Sequence, residues 1–348
     1  FNVCIKHEFT TRYGIGVIMP LLRVNATATG LKLHDTSQQN RCTLWEFSAR
    51  PGPAIIMLHG YKYAPASAGH CPHQKIFNPG PTAWPAKLGF VSNDKTEGLG
   101  IALGWYARGS LKDVHRRARA LATQLASIVD MLRDQSPQRP VHVLAHSLGV
   151  ELALSALPHL PAGSIDRMVL LTGAAYQSRA RETLATDAGR SAEVLNIVSR
   201  ENDLFDAAFE RLVPACSVGD CALGNGIDAR NVVNLQIDCT RSIAALNRLS
   251  FDISPKSKRI SHWSAYRRQG VMALYSTFLR QPQALPLSIL SRLLPRHGTP
   301  RWSRLVPELQ GKDTPRLVNL HKRLGDLASA TSLFATAFAG RTQSEQAN

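Results

Sequence analysis

VHVLAHSLGVELAL, residues Val141–Leu154, is the stretch on which the reading of the chain turns. It opens as a short apolar run of strand length and continues as a run that a buried helix would carry. Between the two stand His146 and Ser147. A strand covered on both faces has no use for such a polar pair. A sharp strand-to-helix bend at Ser147 does, because it lifts the hydroxyl out of the sheet on a strained backbone. The residues two before and two after must then be small, since strand and helix nearly touch. Gly149 meets the rear requirement and Ala145 adds one methyl group at the front.

The same alternation continues on both sides of the bend. PAIIMLHG (53–60) and LGIALGWYARG (99–109) are strand-sized apolar runs ending in turns, and short strands are also expected between Leu31 and Phe47. SLKDVHRRARALATQLASIVDMLRDQ (110–135) carries the strongest amphipathic pattern. Ser110 is its N-cap, and Val114, Leu121, Leu125, Ile128 and Leu132 share one stripe. DRMVLLTGAA (166–175), AEVLNIVSREND (192–203) and RNVVNLQID (230–238) are further apolar runs with polar ends. Strand alternating with helix predicts an α/β domain with a mostly parallel sheet between helices. A Pro- and Gly-rich loop from Ala64 to Gly98 is anchored by Phe77, Trp84 and Phe90.

A chain of 348 residues with 44% hydrophobic content can bury an ordinary globular core. No apolar run reaches the length of roughly eighteen residues that a membrane-spanning helix needs. The net charge of +16 could mark a polyanion partner. The basic residues are nevertheless spread out, and no zinc-finger, RNA-binding or basic-zipper pattern accompanies them, so nucleic acid is not the expected partner. Cys4, Cys42, Cys71, Cys216, Cys221 and Cys239 are scattered, and the first residues show no apolar leader, so free thiols in the cytoplasm are expected. Cys216 and Cys221 bracket a short loop and could pair in an exported protein. His70, Cys71 and His73 lack a second pair at metal spacing, so no metal is expected. No glycine-rich phosphate loop occurs, which argues against a nucleotide cofactor. Met19 looks like a natural beginning, so residues 1–18 are read as an upstream extension. One domain is expected over 19–280, and the proline-broken stretch 281–348 as a basic extension that either wraps the domain as short helices or is loosely ordered, and is partly disordered at its end.

The bend resembles the nucleophile elbow of the α/β-hydrolase superfamily. Ala145-His146-Ser147-Leu148-Gly149 is similar to the Ala-x-Ser-x-Gly variant of some bacterial lipases, and IIMLHGY (55–61) to the strand that precedes the oxyanion loop. The resemblance covers roughly Leu31 to Arg280. It implies an α/β-hydrolase fold with loop insertions over the site, Ser147 as nucleophile, and the backbone N–H groups of Tyr61 and Leu148 as oxyanion donors. His59 would brace the oxyanion loop. The superfamily order places an acid and then a histidine after the serine. RENDLFD (200–206) offers Glu201, Asp203 and Asp206. Asp203, just past the strand end, is the first choice. Asp206 is the alternative, able instead to cap the next helix. Of the later histidines His262, His297 and His321, the expected base is His262, which stands before a helix bearing Val271, Leu274 and Phe278. Lys62, Tyr63, Phe77 and Trp84 are expected to line or cover a pocket, with the insertion 204–226 as a second wall. The implied activity is cofactor-free hydrolysis of a small carboxylic ester through an acyl-enzyme. Amidases, thioesterases and C–C hydrolases share this apparatus, and a non-catalytic polyanion-binding protein of the same fold stays open beside them, as does the oligomeric state.

Overall fold

Ala54–Leu58 is apolar at every position and buried at every position, and it forms the third of eight strands in one sheet. The computed structural model describes residues 20–34, 51–92, 94–256, 258–296 and 298–305. The strands are β1 (Leu21–Thr27), β2 (Gly30–Leu33), β3 (Ala54–Leu58), β4 (Leu99–Trp105), β5 (Val141–His146), β6 (Arg167–Leu171), β7 (Glu193–Val198) and β8 (Val232–Gln236). Their order is β2-β1-β4-β3-β5-β6-β7-β8. Only β2 runs antiparallel, as the second arm of a hairpin with β1. This is the α/β-hydrolase fold, and β5, which leads to Ser147, lies near its centre.

Successive side chains of a strand leave opposite faces. Ile56 and Leu58 enter one apolar core, while Ile55 and Met57 enter the other. Both faces must be apolar, which is why the central strands read as unbroken hydrophobic runs. The first core is closed by α1 (Leu111–Ala120), α2 (Ala122–Gln135) and α3 (Leu148–Ala156). Beyond β7 comes α4 (Asp203–Leu212). The second core is closed by α5 (Thr240–Asn247), α6 (Val271–Arg280) and α7 (Leu287–Leu293). Every residue of α3 is buried, including Glu151, whose carboxylate is met by His115, Arg119 and Arg179 at 3.5, 3.6 and 3.9 Å.

Three expectations need adjustment. The amphipathic stretch 110–135 is two helices, jointed at Leu121, where the backbone takes φ −90° and ψ 4°. Its cap holds: Ser110 Oγ accepts from the Asp113 N–H at 3.2 Å. The leading strands begin at Leu21, where Leu22, Val24 and Ala26 point inward from β1; the stretch 42–47 lies outside the described residues. Finally, of the two readings open for residues 281–305, wrapping the domain is the one seen, so the packed domain runs past 280. Leu285, Leu287, Leu290 and Leu294 join the second core, Arg301 pairs with Glu210, and the Thr299 N–H donates to Gln236. The prolines break this segment into short pieces, and its leucines still bury themselves. Residues 1–18, His297 and His321 lie outside the described residues. Among those described, no helix is long and apolar enough to cross a membrane, and Cys71, Cys216, Cys221 and Cys239 are free thiols.

Burial lowers four imidazoles: His59 to about 3, His73 to about 2, His142 to about 3 and His146 to about 4. The unfolded chain protonates them below about 6.5 while the folded chain resists, so they add stability that is lost as pH falls through that window. Asp203 and Asp206, raised by burial to about 6 and about 8, act in the opposite sense. With these four and His262, which burial also holds well below 6.5, set against the two carboxyls, the expected net result is a Tm that drops by about 5 °C or more between pH 6.5 and 4.5. Calorimetry across that range checks it, and a flat Tm would contradict it.

Candidate active site

Ser147 is the only residue between β5 and α3, and its backbone takes φ 55° and ψ −126°. A side chain rarely adopts positive φ, and such strain persists only where neighbours impose it. Here the Ser147 N–H donates to the Leu171 carbonyl at 3.0 Å. The Ser147 carbonyl accepts from the Val150 N–H at 3.0 Å and the Ala174 N–H at 3.1 Å. Ala145 and His146, at the end of β5, pair with Leu170 and Leu171 of β6. Contact on the other side is closer still. A Cβ added to Gly149 would stand 2.6 Å from the His59 carbonyl oxygen, and one added to Gly60 would stand 2.5 Å from Ser147 Cβ. The end of β3 is thus pressed against the bend. Tyr61 reaches the same pocket as Ser147, and Leu148 opens α3, where the first N–H groups have no helical acceptor.

His59 fixes this approach. Its Nε2 accepts from the Trp105 N–H at 3.0 Å, so the proton lies on Nδ1, which donates to the Gly60 carbonyl at 2.8 Å. An imidazolium could not keep the first bond, which agrees with its low pKa.

The turn after β7 is built to present Asn202. The Asp238 carboxylate accepts from the N–H groups of Arg200 and Glu201. Glu201 binds Arg268 at 2.8 Å through its side chain, and its carbonyl accepts from the Ser261 N–H at 2.8 Å. His262 follows directly, so the two loops are tied together at the residue before it. His146 adds a second tie: its Nε2–H donates to the His262 carbonyl at 3.1 Å. The His262 ring lies half-buried, stacked on Phe205 with centroids 4.7 Å apart. Its Nδ1 is 2.7 Å from Asn202 Oδ1. Burial holds its pKa well below 6.5, and the neighbouring His146 lowers it further.

Ser147 and His262 share one pocket of about 70 Å³, with Tyr61, Lys62, Tyr63, Asn202 and Phe205 also in its wall. The acid expected beside His262 is elsewhere. Asp203 Oδ2 accepts from the Trp302 N–H at 2.6 Å, and its Oδ1 pairs with Arg200 at 3.2 Å. As the first residue of α4 it has turned away from His262, and the residue before it faces the imidazole. Asp206 touches Asn202, not His262: its Oδ1 accepts from Asn202 Nδ2 at 2.9 Å. Phe77 and Trp84 also differ from expectation. Both are buried in the second core, beneath the pocket and not in its wall, where Trp84 stands edge-on to the His146 ring at 6.4 Å. Of the insertion 204–226, Phe205, Asp206 and Phe209 reach the pocket.

Asn202 and Phe205 are the residues that reading the sequence missed. A search for an acid passes over an amide, although an amide oxygen can accept from Nδ1–H as a carboxylate does. The cluster His70, Cys71 and His73 is dispersed among other partners: Ser67 for His70, His34 for Cys71 and Asn25 for His73.

Residues 82–171, which span β4, β5, the bend and β6, match the family described as "Alpha/beta hydrolase of unknown function (DUF900)". No curated protein sequence matches the chain. Among solved structures, the chain is similar to the carboxylesterase CesB (YbfK) from Bacillus subtilis. The identity is 14% over 53% of this chain and 76% of that one, with a TM-score of 0.24, too slight a likeness to add to the geometry above.

Proposed function

We propose that this member of the α/β-hydrolase superfamily is a serine hydrolase that cleaves small carboxylic esters through an acyl-enzyme. The observation that carries the reading is Ser147, strained at φ 55° on the β5–α3 bend and opening into the same pocket as a His262 whose Nδ1 is already engaged. The Asn202 oxygen accepts, so the His262 proton belongs on Nδ1 and Nε2 is left as the base. Nε2 takes the proton of the Ser147 hydroxyl as Oγ attacks the acyl carbonyl. The N–H groups of Tyr61 and Leu148 receive the oxyanion. Collapse of the tetrahedral adduct breaks the ester C–O bond, and the imidazolium returns its proton to the departing alcohol. Water, deprotonated by the same nitrogen, then releases the acid and regenerates Ser147.

A second reading, a non-catalytic protein of this fold, is favoured by one observation: the group at His262 Nδ1 is a neutral amide, a weaker stabiliser of imidazolium than a carboxylate. A fluorophosphonate probe separates the two. Stoichiometric labelling of Ser147 is expected; salt-sensitive retention on heparin with no labelling would support the binding protein instead.

Two further outcomes follow from the same geometry. Because His262 is held well below 6.5, kcat/KM should stay level as pH is lowered through the ordinary imidazole range, with its acid limb beneath it. A limb centred near 6.5 would mean the base is solvated and lies elsewhere. The pocket, at about 70 Å³, is small. Acetyl to butyryl p-nitrophenyl esters should therefore exceed the decanoyl ester in kcat/KM by about tenfold or more.

A further inference from the structure

We propose that Asp206 is a positioning residue that sets the tautomer of His262 through the amide of Asn202, so that an amide–carboxyl relay stands where a single carboxylate would suffice. The inference rests on the reading of Ser147 and His262 as nucleophile and base and deepens it.

An amide bound to an imidazole can face it either way. With Oδ1 toward His262 it accepts, and the ring keeps its proton on Nδ1. Turned over, it presents Nδ2–H, the ring must accept at Nδ1, and its proton moves to Nε2. That second tautomer cannot take a proton from Ser147. Something must therefore choose the orientation, and nothing on Asn202 itself does. Asp206, four residues on and one turn along α4, supplies the choice. Its Oδ1 lies 2.9 Å from Asn202 Nδ2 and accepts, which leaves the Asn202 oxygen 2.7 Å from His262 Nδ1. Asn202 and Asp206 are 2% and 3% exposed, so water does not compete for either bond.

The rest of Asp206 fits this role. Its Oδ2 has no hydrogen-bond partner among the described residues and is packed against Gly224, where an added Cβ would come within 2.0 Å. Burial raises the carboxyl to about 8; Arg301 and Arg200 pull it down, and Asp203 and Glu210 push it up. Burial thus favours the neutral acid, and with a proton on Oδ2, Oδ1 still accepts from Asn202. The relay does not depend on a buried charge.

Nitrogen-15 NMR of the histidine-labelled protein reads the tautomer without substrate. Wild type is expected to carry the His262 proton on Nδ1; a proton on Nε2 overturns the relay outright. Asp206→Leu should move it to Nε2 and lower kcat about 100-fold or more with KM within threefold, as loss of the correct tautomer does. Retention of Nδ1–H and of wild-type kcat in that variant overturns the proposal. The isosteric exchange Asn202→Asp with Asp206→Asn guards against misfolding. It puts a carboxylate directly on His262 with an amide donor behind it. Nδ1–H and kcat within tenfold of wild type are expected, and loss of either counts against the relay. Because the tautomer is read apart from turnover, a chain that hydrolyses no ester can still sustain or lose the relay.

Discussion

Ser147→Ala is expected to lower kcat toward p-nitrophenyl butyrate by at least about 10⁴-fold, with the fold and Tm unchanged. The alanine keeps the Cβ that packs against Gly60 and keeps the same positive-φ strain, so the bend and its hydrogen bonds to Leu171, Val150 and Ala174 survive. Only Oγ is removed. Without it no acyl-enzyme forms, and what remains is the stabilisation that the Tyr61 and Leu148 amides can give to water attack. Fluorophosphonate labelling should vanish in parallel. Full turnover by the alanine variant would place the chemistry outside this bend and remove the basis of the proposed function.

Gly149→Val is expected to be the most damaging single change to the fold, at about 3 kcal/mol or more. The first added carbon alone meets His59 O at 2.6 Å, Leu58 O at 2.9 Å and Leu58 C at 3.1 Å. All three are backbone atoms of the last residue of β3 or the one just after it, and β3 is held between β4 and β5, so none can yield cheaply. The strain also falls on Gly60 and Tyr61, which makes the variant inactive as well as unstable. Gly163→Ala is the control. Its φ of +76° strains an alanine, but no atom lies within 4 Å of the new carbon, so the cost should be only about 1 kcal/mol. Chemical denaturation of the two variants gives the comparison, and equal losses would mean that crowding at the bend is not what demands glycine.

The parallel sheet could be read from the chain because two-sided burial requires apolar residues at consecutive positions. AIIML, VHVLAH and RMVLL say this locally. The bend was legible because the small residues at 145 and 149 flank the serine in the sequence, although the atoms that keep 149 small, on Leu58 and His59, come from far earlier in the chain. Trp84 and Phe77 were misplaced because an aromatic residue in a loop looks the same whether it lines a cavity or supports one from below. Whether Leu285 to Leu294 wrap the domain was left open because prolines hid the periodicity of their burial.

The alternation of strand and helix, the turn at Ser147 and the candidacy of His262 were determined by the sequence alone, since each depends on neighbours within a few residues or on chain order. Which side chain meets His262 was decided only in three dimensions. Asn202 and Asp203 are adjacent, and the choice between them depends on Arg200, Trp302 and the first turn of α4, which engage the carboxylate and turn the amide toward the imidazole. Partners 60 and 99 residues apart leave no local pattern, because a hydrogen bond depends on the distance between atoms and not on their separation along the chain.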